Sequence, residues 1–99
     1  MARLIYARQA LDDLERLTDF LIESDPKAAL ETFGLIEEAI DVLRRHPLIG
    51  RAAEAGLREL VISRGQTGYV ALYSYELDED AIIVLAIRHQ REVGYPPDA

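Results

Sequence analysis

Cysteine is absent from this chain of 99 residues, and lysine occurs once, at Lys27. Without cysteine the protein has no disulfide, no catalytic thiol and no thiolate ligand for a metal, which is typical of a reducing compartment. Long hydrophobic runs are also missing, since the longest, Ala81 to Ile87, is too short to cross a bilayer. No signal peptide is visible after Met1, and the sequence therefore predicts a cytoplasmic protein.

Acidic residues outnumber basic ones, and the formal net charge is −7. Because phosphate neutralisation supplies most of the affinity of proteins for nucleic-acid backbone, this charge argues against such binding as the main task. The charges are unevenly distributed: acidic residues crowd 12–38 and 76–80, and every basic residue after Arg45 is an arginine or a histidine. The composition is therefore compatible with a local cationic patch on an acidic body.

Length and composition predict one folded domain that spans residues 1–99. A chain of this size has room for a single core, which buries roughly two-thirds of the surface of the unfolded chain. Apolar residues make up 49% of the sequence, as in folded globular proteins rather than disordered ones.

A helix is predicted from Ala7 to about Ser24, after a short N-terminal strand over Met1 to Tyr6. Acidic residues, including Asp12 and Asp13, lie mostly on the polar side of this helix. Its apolar stripe consists of Ala7, Leu11, Leu14, Leu17 or Thr18, and Leu21.

A second helix follows at once, because Asp25 is suited to the N-cap and Pro26 to the first helical position. It is predicted to continue through Arg44 and Arg45, whose charges favour the negative end of the helix dipole, and to end before Pro47. Two amphipathic helices joined by so short a link are expected to form an antiparallel hairpin. The second apolar stripe consists of Ala29, Phe33, Ile36, Ile40 and Leu43.

Three strands are predicted in the second half of the chain, after a loop over residues 47–56. Leu57 to Ser63 and Tyr69 to Glu76 show the alternation that is typical of strands. Ala81 to Ile87 is rich in β-branched residues, which indicates a strand that is buried on both faces, or nearly so. The links between the three are too short for the crossover that parallel pairing requires, so these strands are antiparallel.

The predicted order is strand, helix, helix, strand, strand, strand. Each helix has one apolar face to bury, and a sheet supplies the surface for it. The sequence therefore predicts an α+β fold: an N-terminal strand, an antiparallel helical hairpin and a three-stranded antiparallel meander, with the strands in one sheet.

Basic residues at the ends of the last strands form the candidate functional site. Arginine and imidazole side chains near one sheet edge can bind phosphates or carboxylates, and a histidine can exchange protons near neutral pH. The alternative is a set of solvated strand ends with the histidine bonded to backbone. No catalytic residue is assigned, and the predicted target contacts are Arg58, Arg64, Arg88, His89 and Arg91.

Other chemistry-bearing patterns favour structural explanations. Tyr69, Tyr73 and Tyr75 recur at period two and can stack bases on a sheet face, but such a stripe more often packs under helices. The acidic turn 78–80 lacks the loop length and spacing of a calcium site, and His46 has no ligand-spaced partner. The sequence predicts neither a metal nor a cofactor.

Several short motifs follow one another along the chain in a distinctive order. The motifs are Ala-Leu-Asp-Asp-Leu at 10–14, Pro-Leu-Ile-Gly-Arg at 47–51, Leu-Arg-Glu-Leu at 57–60, Gly68-Tyr69 followed by Tyr73, and Ile-Arg-His-Gln-Arg at 87–91. Their order and spacing resemble the RelE/ParE superfamily of toxins from bacterial type II toxin–antitoxin systems. The resemblance covers nearly the whole chain and agrees with the predicted topology.

Within this superfamily the chain looks closer to the ParE branch. RelE-like members are ribosome-dependent endonucleases that cut messenger RNA with basic residues on the sheet, whereas ParE-like members inhibit DNA gyrase and lack that set. This chain has Leu60 where the ribonucleases tend to carry a basic residue, and Val70, not arginine, after Gly68-Tyr69. RNA cleavage requires activation of a 2′-hydroxyl and stabilisation of phosphate charge, which aliphatic side chains do not supply.

The resemblance implies a non-enzymatic toxin that binds DNA gyrase, stabilises its cleavage complex and takes part in plasmid stabilisation. A cognate antitoxin is expected to neutralise it in a hetero-oligomer, laying a segment over the helical hairpin and a sheet edge and pairing carboxylates with arginines. Neither a membrane nor a specific nucleic-acid sequence is an expected partner. Two alternatives stay open: a family member that binds an antitoxin without being toxic, and a ribosome-dependent ribonuclease whose site contains Arg58, Arg88, His89 and Tyr95.

Overall fold

In the computed structural model, which describes residues 1–62 and 68–89, two helices lie on one five-stranded sheet. The predicted α+β fold is confirmed, including the helical hairpin and the antiparallel meander of the last three strands. The helices are α1 (Arg8–Ser24) and α2 (Pro26–Asp41), and the strands are β1 (Arg3–Tyr6), β2 (Arg51–Ala52), β3 (Arg58–Ile62), β4 (Tyr69–Glu76) and β5 (Ala81–His89).

The strand order in the sheet is β1-β5-β4-β3-β2. β1 pairs in parallel with β5, from Arg3 opposite Ala81 to Tyr6 opposite Val84, and all other pairs are antiparallel. β2 lies inside the stretch that was predicted as a loop, so the sheet has one strand more than expected. With only two residues, β2 is too short for alternation to reveal it.

The start of α2 follows the prediction, and its end does not. Asp25 accepts the N–H of Ala28 at 3.2 Å, and Pro26 is the first helical residue. α2 ends at Asp41, and a 3₁₀ turn (Val42–Arg44) follows where the helix was expected to continue. This turn is tied to the N-terminus, because the Arg44 carbonyl accepts the N–H of Ala2 at 2.9 Å. Neither helix of the described ranges is long and apolar enough to cross a membrane.

One residue of β5 has no counterpart in β4. Tyr73 lies opposite Val84 and Leu72 lies opposite Ala86, so Leu85 is an extra residue that forms a bulge. The bulge shifts the alternation along β5, and directly opposed residues of neighbouring strands share a face. We call the sheet face that packs on α1 and α2 the hairpin face, and the opposite one the outer face. The hairpin face therefore receives Ile82, Val84, Ile87 and His89 from β5.

The core lies between the helical hairpin and the hairpin face. Tyr69 and Tyr73 are buried in it and Tyr75 packs at its margin, which confirms the core explanation of the tyrosine stripe. Each large apolar side chain buried there stabilises the fold by about 1.5–3 kcal/mol. The largest fully buried apolar residues are Tyr73, Ile36, Ile40, Leu43, Ile82, Ile87 and Val84.

Two predicted members of the apolar stripes point away from this core. Leu11 is 50% exposed and Phe33 is 38% exposed, so placing them in the core was wrong. Smaller or polar side chains take the buried positions instead: Ala10 and Asp13 on α1, and Thr32 on α2. Both helices are thus rotated relative to the arrangement that hydrophobicity alone predicts.

Candidate functional site

Arg58 begins β3 on the hairpin face, directly opposite Tyr73. Its guanidinium turns back to the preceding loop, where Nη1 donates to the carbonyl oxygen of Gly50 at 2.7 Å and to that of Leu48 at 3.3 Å. A charged donor makes stronger hydrogen bonds than a neutral one. Arg58, which is half-buried, therefore anchors a loop of its own chain.

The buried Tyr73 holds the same loop from beneath. Its hydroxyl accepts the N–H of Gly50 at 3.0 Å and donates to the carbonyl oxygen of Pro47 at 2.8 Å. Burial raises the pKa of Tyr73, although the Gly50 N–H and the charge of Arg58 act in the opposite direction. The hydroxyl thus remains a donor at neutral pH. Residues 47–50, which Tyr73 and Arg58 hold in place, are called the braced loop.

Arg88 and His89 end β5 and, as consecutive residues of a strand, project on opposite faces of the sheet. Arg88 lies opposite Val70 on the outer face, and His89 lies opposite Tyr69 on the hairpin face. The rings of His89 and Tyr69 meet edge to face with their centroids 5.3 Å apart. Aromatic rings favour this arrangement, which fixes the orientation of the imidazole.

The residues of the predicted cluster do not converge on one point. Arg58 and His89 share the hairpin face, but their partners on β4 are four residues apart, or roughly 13 Å along the strand. Arg88 is on the outer face. The remaining two predicted contacts, Arg64 and Arg91, lie outside the described residues.

Asp13 is a buried carboxylate that the sequence analysis placed on the polar side of α1, and it is only 2% exposed. Its Oδ2 accepts the N–H of Ile87 at 2.9 Å, and its Oδ1 accepts the side-chain amide of Gln9 at 2.9 Å. β1 ends beside Val84, so Ile87 has no strand neighbour on that side. Asp13 supplies the missing acceptor and ties α1 to β5 immediately before Arg88.

A signal for Asp13 is present in the sequence. It lies three residues after Ala10 and four before Leu17, which puts it on the buried side of the helix. An acidic residue at that position requires a donor in the core, since burying a carboxylate without partners is costly. Hydrophobicity alone does not reveal this, because it assigns every acidic residue to the solvent.

A shallow trough runs between α2 and the edge strand β1. An apolar depression of about 120 Å³ forms one part of it, lined mainly by Tyr6, Leu11, Leu14 and Phe33. The adjoining part has an acidic rim made of Glu37, Glu38 and Asp41. Burial, together with the negative charges of Glu37 and Asp41, raises the pKa of Tyr6. Within the described ranges β1 has a strand on one side only, so its outer edge offers backbone groups to a further strand.

Residues 4–94 match the family described as ParE toxin of type II toxin-antitoxin system, parDE. Among curated relatives, Toxin RelE3 of Caulobacter vibrioides is 34% identical over 84 residues, which cover 85% of this chain and 89% of that protein. Toxin RelE1 of the same organism is 40% identical over 65 residues, which cover 66% of this chain and 70% of that protein.

Solved structures give the same result for the fold. The chromosomal ParDE toxin–antitoxin system from P. aeruginosa matches with a TM-score of 0.75 at 26% identity, covering 90% of this chain and 96% of that chain. The intact E. coli RelBE toxin–antitoxin complex matches with a TM-score of 0.64 at 12% identity, covering 93% of this chain and 100% of that chain. At that identity the second likeness concerns the fold alone.

A helical hairpin packed on a sheet of this topology defines the class of RelE/ParE superfamily toxins. Within that class, the chain belongs to the ParE toxin family of type II toxin–antitoxin systems, because the family match spans nearly its whole length. The resemblance drawn from the sequence motifs is thereby confirmed.

Proposed function

We propose that this toxin binds DNA gyrase and stabilises the gyrase–DNA cleavage complex without catalysing a reaction itself. The observation that carries the proposal is the division of the basic side chains between two faces of the sheet. RNA cleavage requires a group that takes the 2′-hydroxyl proton and donors that stabilise the phosphate, close to one another. Among the described residues, Arg58 anchors the braced loop, His89 packs on Tyr69, and Arg88 lies on the other face.

Two aliphatic side chains give further support. Leu60 packs against the core and Val70 is 9% exposed, so neither sheet position presents a polar group to a substrate. The net charge of −7 also suits a protein target better than ribosomal RNA, whose phosphates repel an acidic protein.

The proposed target contacts are the arginines and the histidine predicted from the sequence. Replacing Arg88 and Arg91 together by alanine is expected to abolish growth arrest, because the target loses its cationic partners, while the circular dichroism spectrum stays that of the wild type. Arg58 is a poorer choice for this test, since it also holds the braced loop. Undiminished growth arrest by the folded double variant would contradict these assignments.

The direct test is inhibition of plasmid supercoiling by gyrase, with purified toxin titrated in the presence and absence of antitoxin. The proposal predicts loss of supercoiling and accumulation of linear DNA, both relieved by the antitoxin. Unchanged supercoiling by a folded toxin that still arrests cells would refute it.

We further propose that a cognate antitoxin neutralises the toxin in the cytoplasm by occupying the trough and the edge of β1. The P. aeruginosa and E. coli matches are toxin–antitoxin systems, which supports such a partner. The trough combines an apolar floor with an acidic rim, and no strand of residues 1–62 or 68–89 pairs with the outer edge of β1. A segment that adds a strand or a helix there, with apolar anchors and basic side chains, complements this surface. Carboxylates of the antitoxin are proposed to pair with the arginines elsewhere.

A ribosome-dependent ribonuclease is the second candidate, and the RelE names of the curated relatives favour it. Its site would contain Arg58, Arg88, His89 and Tyr95, of which Tyr95 lies outside the described residues. Sequencing of transcript ends in translating cells distinguishes the two functions, because only the ribonuclease cuts messages on ribosomes while supercoiling is unchanged.

A further inference from the structure

We infer that Leu48 and Ile49, at the tip of the braced loop, form a second contact surface through which the toxin holds its protein target. The partner that fits is a protein surface with an apolar socket bordered by carboxylates. The inference rests on the proposed function only for the identity of that protein, which would be gyrase.

The braced loop is held at both ends by side chains of the sheet. Tyr73 bonds to Pro47 and Gly50, and Arg58 bonds to the carbonyl oxygens of Leu48 and Gly50. Gly50 is packed so closely that a Cβ at this position would lie 2.7 Å from the Tyr73 ring. A loop fixed in this way loses little conformational entropy when it binds, which favours affinity.

The same loop leaves two large aliphatic side chains in the solvent. Leu48 is 60% exposed and Ile49 is 58% exposed. Single exposed aliphatic residues are common on protein surfaces, but two adjacent ones on a loop that is fixed by hydrogen bonds make a compact apolar anchor. A few residues that fill desolvated pockets account for most of the energy of a protein interface, and this is the role that we propose for Leu48 and Ile49.

The charge around the anchor indicates what borders the socket. No acidic residue occurs from Val42 to Ala53, although the chain as a whole has a net charge of −7. Within this stretch Arg45 and His46 are exposed beside the loop, although Asp80 lines one depression together with Arg45 and Pro47. Carboxylates on the partner would complement Arg45 and steer the encounter.

A protein fits this surface better than nucleic acid does. The Arg51 guanidinium pairs with Glu59 at 3.1 Å, and that of Arg58 bonds to loop carbonyls, so two nearby cations are already engaged. Binding to a phosphate backbone draws its affinity from several cations that neutralise phosphates together. The braced loop therefore offers an apolar anchor with a modest basic border rather than a phosphate-binding surface.

The test replaces both anchor residues, Leu48→Ser and Ile49→Ser, in the full chain. The matched control is Leu30→Ser on α2, which changes an aliphatic residue that is 77% exposed and distant from the loop in sequence. Each protein is titrated in a growth-arrest assay with graded expression and in the gyrase supercoiling assay, and its urea midpoint is measured.

The double variant is expected to require about tenfold more protein for growth arrest and for gyrase inhibition, the loss typical of interface anchors. The control should match the wild type in both assays, and all urea midpoints should agree. Growth arrest by the double variant at wild-type expression levels would overturn the inference.

Failure of the proposed function gives a different pattern. If the wild type arrests growth without inhibiting gyrase, gyrase is not the target, and the growth-arrest comparison alone decides whether the loop is a target contact. A wild type that is harmless at every expression level overturns both. If the wild type binds plasmid DNA in the absence of gyrase and the double variant does not, the loop contacts nucleic acid and the inference of a protein partner is wrong.

Discussion

Asp13 and its neighbour Asp12 carry the same chemical group and have different consequences for stability. Asp12 is exposed and lies 3.9 Å from Arg8, whereas Asp13 is buried and accepts the N–H of Ile87. An exposed ion pair contributes little, but a buried N–H that loses its acceptor costs the desolvation of that group. The stability of the link between α1 and β5 therefore depends on Asp13 and not on Asp12.

Replacing Asp13 by alanine is expected to lower the free energy of unfolding by about 2 kcal/mol, because the buried N–H of Ile87 is left without an acceptor. Asp13→Asn keeps a carbonyl oxygen at that place and should lose less. Urea denaturation measures both, with Asp12→Ala as the control, expected within about 0.5 kcal/mol of the wild type. Equal losses at the two positions would show that the Ile87 bond is not stabilising.

Tyr73 makes stability depend on pH in the alkaline range. Its pKa is raised in the folded protein above the ordinary value of 10.0, so the folded state keeps the proton more firmly than the unfolded state. The resulting stabilisation is complete below the ordinary pKa and is lost as the pH rises through it towards the folded value. Tyr6 and Tyr75 shift in the same direction and add to this loss.

The variant Tyr73→Phe isolates this contribution. It should be less stable than the wild type at neutral pH, since Gly50 and Pro47 lose their partner, and its stability should fall less steeply above about pH 10. Urea unfolding at several pH values measures both slopes. Parallel slopes for the two proteins would assign the alkaline loss to other tyrosines.

At the scale of elements, the braced loop and α2 provide a matched pair of glycines. A Cβ added at Gly50 would lie 2.7 Å from the ring and hydroxyl of Tyr73 and 2.8 Å from the carbonyl oxygen of Glu59, whereas a Cβ at Gly34 meets nothing within 4 Å. Gly50 is thus required by the close approach of β3 and β4 to the loop, and Gly34 is not required by packing.

Gly50→Ala is expected to lower the free energy of unfolding by about 1–3 kcal/mol, because the loop or the Tyr73 ring must move. Gly34→Ala should raise it by about 0.5–1 kcal/mol through the better helix propensity of alanine. Thermal or urea unfolding of the two variants gives the comparison. A stable Gly50→Ala protein would mean that the loop accommodates the methyl group without its present hydrogen bonds.

The elements themselves were largely predictable, and the arrangement of the site was not. Helical periodicity and the Asp25 cap locate both helices, and period two locates β4, because these are local properties. The uninterrupted apolar run of β5 contains no alternation from which to read a face, and the bulge at Leu85 appears only when β5 is aligned with β4. The placement of Arg88 and Arg58 on opposite faces depends on the pairing of β5 with β4. This pairing joins residues that are distant in sequence, so local patterns do not predict it.

At the scale of the molecule, the segments that contribute the trough and the braced loop differ in charge, although Asp41 pairs with Arg44 and Glu59 with Arg51 where they meet other segments. The trough beside α2 is bordered by Glu37, Glu38 and Asp41, and the stretch 42–53 around the braced loop has no acidic residue. Surfaces of opposite charge favour different partners. This arrangement permits variants that affect the antitoxin and the target separately.

Charge reversal in the trough, Glu37→Lys with Glu38→Lys, is expected to weaken antitoxin binding about tenfold and to leave growth arrest unchanged, because the proposed antitoxin segment is basic. Asp19→Lys, an exposed acidic residue of α1 that does not line the trough, is the control. Calorimetric titration with purified antitoxin measures the affinities. Tighter binding by the reversed trough would mean that the antitoxin segment is acidic.

The position of β5 in the sheet also governs when the protein becomes a toxin during its synthesis. β1 is synthesised first, but among the described strands it pairs with β5 alone, and Asp13 of α1 lacks the Ile87 N–H until β5 has been added. The helical hairpin rests on local contacts and can form while the chain is still growing, whereas the sheet closes only after residue 84 has been added. A ribosome that stops earlier releases a chain in which β1 lacks β5, so we expect premature termination to yield an incompletely folded fragment rather than a smaller active toxin.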